Sequence, residues 1–428
     1  MTAVPVVPQA GPAGMGALDV PFDHISVYWF AGMSCDGCSI AVTGATSPPI
    51  EKLLLGQVPG LPRLILHHPV LSVDSGAAFM RHYRDAVEGK LDAPYVIILE
   101  GSVPDERRSG EGYWSAMGTG SVADENDPDR MTDGVLQPIP TMQWLHDMAP
   151  GAAAAIAIGT CATWGGVPAA AGNVTGSMSL MDYLGRDYRS SLGLPVINIP
   201  GCSPVGDNFT ETVAAVLLFL QGIGPLPEFD ELGRPAWLFR ETVHRGCGRA
   251  GFFEEGVFAK AFGDRECLVE IGCWGPVVQC NITSRGAINH MGGCMNVGGA
   301  CIGCTMPGFP DKFSPFYKRP PGTVVSSNGS RVLGRSIRSL RQFSQRNLNR
   351  ESRWDWEGIE QPTSGWAHSD QAPKLGDRVV HYLYEKVQFH GATKPLPGLR
   401  DCRTHEVRLP HGPEERLTNQ LGEPKERS

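Results

Sequence analysis

Long apolar runs alternate with mixed polar segments over the first half of the chain. Four runs are almost continuously apolar and end in glycine-containing turns, as buried parallel strands do: HISVYWF (24–30), YVIILE (95–100), AAAAIAIG (152–159) and LPVINIPG (194–201). Three segments have helical length and pattern: ATSPPIEKLLLG (45–56), MQWLHDMA (142–149) and TETVAAVLLFLQGIG (210–224). Strands alternating with helices predict an α/β fold with a doubly wound parallel sheet.

The pattern changes near residue 225, where the alternation stops and loops punctuated by Gly and Pro begin. A second change follows residue 316, where arginines become frequent. We therefore expect four regions: a loose N-terminal arm, a sheet domain, an irregular loop-rich domain, and a C-terminal extension packed on a partner subunit. Their predicted bounds are 1–23, 24–228, 229–318 and 319–428.

Cysteines concentrate in the irregular region. Seven of the twelve lie between His244 and Cys304, in HRGC (244–247), CLVEIGC (267–273), Cys280, Cys294 and CIGC (301–304). Thiolates at this density select iron–sulfur clusters, zinc or copper(I). With His244 they make eight candidate ligands, enough for two four-iron cubane clusters.

Four further cysteines follow predicted strands. Cys35 and Cys38 form a CxxC after the first strand, and Cys161 and Cys202 each follow a later one. Ligands of open parallel sheets bind beyond the carboxyl ends of the strands. The sequence therefore predicts a third four-cysteine site at that edge, whereas Cys402, isolated in the tail, is not expected to be a ligand.

Other classes are less compatible with the sequence. Disulfide scaffolds are short and cysteine-dense, and structural zinc sites, which stay open as an alternative, favour paired CxxC knuckles. No GxGxxG opens a helix and no GxxxxGK[ST] is present, so nucleotide binding is unsupported. A net charge of −8 argues against nucleic acid, despite seven arginines between Arg331 and Arg353.

The sequence carries no apolar stretch near the ~20 residues of a membrane-spanning helix. Its N-terminal residues have neither a basic region with an apolar core nor a twin-arginine pair. We expect a cytoplasmic protein without a transmembrane segment, and leave peripheral association with a membrane open.

These residues resemble the small, electron-transfer subunit of nickel–iron hydrogenases. The resemblance covers roughly residues 24–316 and rests on ordered motifs: CxxC (35–38), LEGSVP (99–104), GTCATWGG (159–166), PGCSP (200–204), HRGC (244–247), CLVEIGCWGP (267–276) and CIGCTMPGFPDKFSPF (301–316). It implies a flavodoxin-like domain, then a domain with little regular structure, and three iron–sulfur clusters that relay electrons from a nickel–iron centre in a large partner subunit.

The resemblance also implies a ligand set for each cluster. The proximal cluster would take Cys35, Cys38, Cys161 and Cys202. The distal cluster would take His244, Cys247, Cys267 and Cys273, and the medial cluster Cys280, Cys301 and Cys304. Many members hold a medial 3Fe–4S cluster with proline near the position of Cys294, so the extra thiolate here predicts a 4Fe–4S cluster, with 3Fe–4S as the alternative.

Further departures point to a subgroup. The extra cysteines that give some oxygen-tolerant members a modified proximal cluster are absent, since Gly37 lies within the CxxC. With its long tail the chain is similar to the cytoplasmic, oxygen-insensitive actinobacterial-type group, although some of those have Asp for one proximal cysteine. The resemblance implies an obligate large subunit and a dimer of heterodimers or larger assembly. A complex I-related electron-transfer subunit and a zinc-stabilised interaction protein remain the rival interpretations.

Overall fold

The computed structural model describes residues 22–351, with the backbone alone for residues 337, 338 and 340–351. Most of the predicted N-terminal arm (1–23), the greater part of the C-terminal extension (319–428) and Cys402 therefore lie outside the described residues. Among the described residues, no helix has the length and apolar character needed to cross a membrane.

The strands of the described part lie between residues 24 and 199. They are His24–Ala31 (β1), Arg63–His67 (β2), Tyr95–Glu100 (β3), Ala116–Thr119 (β4), Met131–Thr132 (β5), Val135–Leu136 (β6), Pro138–Pro140 (β7), Ala154–Ile158 (β8) and Ile197–Ile199 (β9). Five of them form one parallel sheet in the order β2–β1–β3–β8–β9. This is the strand order of flavodoxin-like folds, so the predicted fold class is confirmed.

Helices precede, connect and follow these strands. The α-helices are Gly37–Thr43 (α1), Ile50–Leu54 (α2), Gly76–Val87 (α3), Thr141–Met148 (α4), Gly159–Trp164 (α5), Leu180–Leu184 (α6), Gly206–Leu220 (α7), Ala236–Phe239 (α8), Ala250–Glu254 (α9), Ile282–Arg285 (α10) and Thr323–Glu351 (α11). Short 3₁₀ helices occupy Glu106–Arg108, Pro128–Arg130, Leu268–Ile271 and Asp311–Phe313.

Both faces of the sheet are covered because the strands are apolar on both sides. In β1, Val27 and Trp29 face a core built with α1, α2 and α7, whereas Tyr28 and Phe30 face a core built with α3 and α4. Successive side chains of a strand point to opposite faces, and this alternation serves both cores. Burial on both faces explains why the strand runs lack a polar alternation.

The described chain after α7 contains no further β-strand. Its core packs Trp274, Phe309 and Phe313 around cysteine-bearing loops. The α11 helix lies over this region, where Arg331 pairs with Glu270 at 2.6 Å and stacks over Phe258. The predicted boundary at 228/229 stays a prediction, although the change from sheet to loops occurs in its neighbourhood.

Two segments are more regular than their sequences indicate. The polar stretch 115–130 suggests a surface loop, but β4 within it pairs with β7 in an antiparallel ladder. The glycine-containing segment after β8 suggests a loop around Cys161, but this cysteine lies in the short helix α5.

Candidate metal centres

The first group of cysteines lies at the carboxyl edge of the sheet. Cys35 follows β1, Cys38 lies in α1, Cys161 in α5, and Cys202 follows β9. The Cys38 thiol interacts electrostatically with the other three, as do Cys161 and Cys202 with their neighbours in the group. Three distant parts of the chain are thus brought together at the predicted edge.

Two glycines leave room around these sulfurs. A Cβ at Gly159 would collide with the Cys38 Sγ, and a Cβ at Gly166 would lie 2.7 Å from the Cys161 Sγ. Both glycines also have positive φ, of +83° and +56°. Glycine at these two positions lets the backbone pass close to the Cys38 and Cys161 sulfurs, which a larger residue would displace from the group.

Burial dominates the electrostatics of the thiols at this edge. It raises the pKa of Cys161 to about 11, and it raises the pKa of Cys38 and Cys202 as well. Without a cation these groups are protonated at neutral pH, whereas a bound cation holds such thiols as thiolates. The donor set therefore suits metal binding better than free nucleophilic cysteine.

Sequence reasoning missed a carboxylate that touches this site. Glu100 is 1% exposed and accepts hydrogen bonds from the Cys38 backbone N–H at 3.0 Å and from Trp29 Nε1 at 3.1 Å. It also accepts from the Ser39 hydroxyl, whose oxygen lies 3.0 Å from His68 Nε2. A charged residue at the end of an otherwise uncharged buried strand was the signal for this role.

A second group lies in the irregular region. The Cys267 thiol interacts with those of Cys247 and Cys273, and burial raises the pKa of Cys267 to about 12. His244 is 6% exposed, and its buried Nε2 has no hydrogen-bond partner among residues 22–351. Burial lowers the pKa of His244 to about 4, so the imidazole is neutral, the form that binds metal. A buried ring nitrogen that lacks a hydrogen-bond partner among the described residues fits a ligand of a metal group.

A third group contains Cys280, Cys294, Cys301 and Cys304. The Cys304 thiol interacts with Cys280 and Cys294, and the Cys301 thiol with Cys304 and Cys280. Burial raises the pKa of Cys280 to about 12. Cys301 is buried, whereas Cys294 is exposed, so the fourth candidate ligand lies at the outer side of the group.

The three groups follow one another in space. Cys304 of the third group interacts with Cys202 of the first, and Cys301 of the third with Cys273 of the second. Within residues 22–351 no three His, Cys, Asp or Glu side chains converge as the ligands of a single metal ion do. A cubane cluster needs wider spacing, because each of its thiolates binds a different iron.

Comparison with known proteins covers both halves of the described chain. The family model for the C-terminal part of the NiFe/NiFeSe hydrogenase small subunit matches residues 239–317, and the model "NADH ubiquinone oxidoreductase, 20 Kd subunit" matches residues 35–216. The periplasmic [NiFeSe] hydrogenase small subunit of Desulfomicrobium baculatum is 31% identical over 72% of this chain and 95% of its own. The hydrogenase-2 small chain of Escherichia coli K12 is 34% identical over 66% of this chain and 67% of its own.

A solved structure agrees with these matches. The actinobacterial-type NiFe-hydrogenase from Ralstonia eutropha H16 is 48% identical, with a TM-score of 0.71 over 81% of this chain and 96% of that one. The chain belongs to the family of nickel–iron hydrogenase small subunits. It is therefore one subunit of a hydrogenase, and the family implies iron–sulfur clusters here and a nickel–iron centre in a large-subunit partner.

Proposed function

We propose that this subunit relays electrons released by hydrogen oxidation in the large subunit to an external acceptor, through three iron–sulfur clusters. The observation that carries the proposal is the row of three ligand groups, joined by the Cys202–Cys304 and Cys273–Cys301 neighbours. Bound clusters would supply one-electron redox chemistry. The chain itself sets burial, hydrogen bonding and access around them.

The ligand sets of this proposal are those implied by the motifs. The proximal cluster takes Cys35, Cys38, Cys161 and Cys202, and the distal cluster takes His244, Cys247, Cys267 and Cys273. The medial cluster takes Cys280, Cys294, Cys301 and Cys304 and is of the 4Fe–4S type. Two observations on the described residues support these sets: the buried Nε2 of His244 has no hydrogen-bond partner among them, and Gly159 and Gly166 let the backbone pass close to two proximal sulfurs.

The proximal edge is also where we propose that the large subunit binds. Ile40 beside the CxxC is 68% exposed, and Val167 beside Cys161 is 57% exposed. Apolar side chains around a redox site are suited to a permanent apolar interface. We further propose a cytoplasmic complex that assembles as a dimer of heterodimers or larger.

The first test of this function is an EPR spectrum of the anaerobically purified complex, as isolated and after dithionite, with iron and acid-labile sulfide measured. Three four-iron clusters give about twelve irons per small subunit and no oxidised 3Fe–4S signal. Zinc without iron or sulfide would overturn the electron-relay proposal and favour a zinc-stabilised interaction protein.

Substitution of Cys294 tests the medial cluster separately. In Cys294→Ala we expect an oxidised 3Fe–4S signal and about one iron fewer, because loss of one thiolate releases the iron it holds. Cys402→Ala is the control for removal of a cysteine outside the ligand sets. An unchanged spectrum in Cys294→Ala would exclude Cys294 as a ligand.

The complex I-related alternative has one supporting observation, the family match over residues 35–216. That match contains only the proximal set of cysteines. The second match, over residues 239–317, contains His244 and the seven remaining candidate thiols. A single cluster per chain in the iron analysis would favour the alternative.

A further inference from the structure

A threonine hydroxyl joins the proximal and medial ligand groups. Thr160 immediately precedes Cys161 and is 1% exposed. Its Oγ1 accepts a hydrogen bond at 3.1 Å from the backbone N–H of Gly201, the neighbour of Cys202. The same hydroxyl donates to the backbone carbonyl oxygen of Cys304. One side chain thus connects the backbones beside two proximal ligands with that of a medial ligand.

Further hydrogen bonds hold this junction. The Thr160 backbone N–H donates to the Gly201 carbonyl at 3.0 Å. Thr160 and Gly201 are therefore joined by two hydrogen bonds, one through the Thr160 backbone and one through its side chain. In the same helix, Trp164 Nε1 donates to the Thr305 carbonyl at 3.1 Å. Buried hydrogen-bonded networks of this kind fix a single geometry, because an unpaired member is costly.

Both junctions contain a direct hydrogen bond between ligand residues. At the medial–distal junction the backbone N–H of Cys301 donates to the Sγ of Cys273 at 3.3 Å. At the proximal–medial junction the backbone N–H of Cys202 donates to the Sγ of Cys304. The proximal junction has in addition the Thr160 hydroxyl, a side-chain group that can be replaced without removing any ligand.

Such a path has a physical consequence for electron transfer. Tunnelling between redox centres decays less steeply through covalent and hydrogen bonds than through a van der Waals gap. We propose that Thr160 is a positioning residue for electron transfer, whose hydroxyl holds the Cys202 backbone N–H against the Cys304 Sγ by bonding the backbone on both sides of this contact. The proposal rests on the three-cluster function above.

The electron count is simple. One electron passes across the junction, so the proximal cluster is oxidised by one electron and the medial cluster is reduced by one. No bond is made or broken, and the Thr160 hydroxyl keeps its proton throughout. The residue therefore acts through geometry and electronic coupling alone.

Three variants of the whole complex test the proposal. Thr160→Val removes the hydroxyl and keeps the side-chain shape, and Thr160→Ser restores it. Thr163→Val is the matched control, because Thr163 is similarly buried in the same helix but its Oγ1 donates within that helix, to the Thr160 carbonyl. Iron content and the EPR signals of each cluster establish that the variants are loaded.

The decisive readout is the rate at which the medial cluster is reduced after the proximal one, followed by freeze-quench EPR. In Thr160→Val we expect this rate to fall about tenfold or more, the scale on which loss of a partner of metal ligands lowers activity. Thr160→Ser and Thr163→Val should keep the wild-type rate. Hydrogen–deuterium exchange at the large subunit, which needs no electron relay, should be unchanged in all three.

A wild-type rate in a fully loaded Thr160→Val complex would overturn the proposal. If Thr160→Val loses iron, Thr160→Ala and Thr160→Ser decide instead, and equal rates in those two loaded variants would overturn it. Absence of iron or hydrogen–deuterium exchange in the wild-type complex would instead contradict the proposed function. The two failures are therefore distinguishable.

Discussion

Glu100 is a buried acidic side chain that contacts the proximal group through the Cys38 backbone. It closes the strand YVIILE, is buried, and has hydrogen-bond donors on both carboxylate oxygens. Its charge adds to the effect of burial in raising the pKa of Cys38 and Cys161. A negative charge that disfavours thiolates also disfavours the reduced, more negative state of a cluster.

Replacing this carboxylate should therefore shift a redox potential. In Glu100→Gln we expect the proximal cluster to become easier to reduce, by about 40 mV, which corresponds to about 1 kcal/mol for one partly screened charge. An EPR-monitored redox titration of the complex measures the shift. Ser39→Ala, which removes a hydrogen bond to Glu100 and no charge, should change the potential less. An unaltered potential in a loaded Glu100→Gln complex would refute this role.

Other residues show the limit of reasoning from the sequence. The cysteines and His244 stand out by chemical type, so all twelve candidate ligands could be named beforehand. Thr160 and Ser39 have no such signal, because hydroxyl residues are common beside turns. Their partners, Cys304 and Glu100, are distant in sequence, and only the fold brings them into contact.

At the scale of elements, the long buried strands were predictable and the edge strand β2 was not. β1, β3 and β8 are apolar on both faces, which the sequence displays directly. β2 has five residues, with only three apolar ones between Arg63 and His67, so the run is too short to be distinguished from other apolar segments. Helix α3 was missed with it, since its buried Arg84 breaks the expected apolar face.

The His67 side chain makes this edge strand sensitive to acid. It stacks on Tyr28 at 4.7 Å and lies 4.4 Å from the His82 ring. Burial lowers the pKa of His67 from 6.5 to about 4, with His82 contributing and Asp74 opposing. Below pH 6.5 the unfolded chain binds a proton that the folded chain refuses, so stability falls as the pH falls toward 4.

We expect this loss to amount to about 1–2 kcal/mol after allowance for solvent near the edge strand. His67→Phe keeps the ring against Tyr28 and should flatten the pH dependence of the thermal midpoint between pH 7 and 5. His146→Gln serves as the control histidine substitution. An equally steep dependence in His67→Phe would show that other groups cause the acid sensitivity.

At the scale of the whole molecule, the two edges of the sheet differ in character. The carboxyl edge carries the proximal cysteines and exposed Ile40 and Val167. Helix α7 starts at this edge beside Cys202 and runs back across the sheet, so the exposed Ile223 after its end lies at the opposite edge. The proposed interface with the large subunit involves the first edge alone.

Charges placed at each edge test that asymmetry. Ile40→Asp should weaken association with the large subunit about tenfold or more, because burial of such a side chain contributes about 1.5–3 kcal/mol. Ile223→Asp should leave association unchanged. Titration of the two subunits by size-exclusion chromatography or light scattering compares them. Equal weakening by both substitutions would point to a folding defect and against the proposed interface.

The unequal exposure of the thiols has a consequence for how the complex is built. Cys35 and Cys202 are open at the surface, whereas Cys267, Cys273 and Cys301 are enclosed by the loops that carry them. If the proposed ligand sets hold clusters, the enclosed sites would receive iron and sulfide while those loops are still folding. The open edge could be filled afterwards, until the large subunit covers it at the proposed interface. Association of the two subunits would thus be the last step of assembly, and a chain that bound the large subunit too early would lack its proximal cluster.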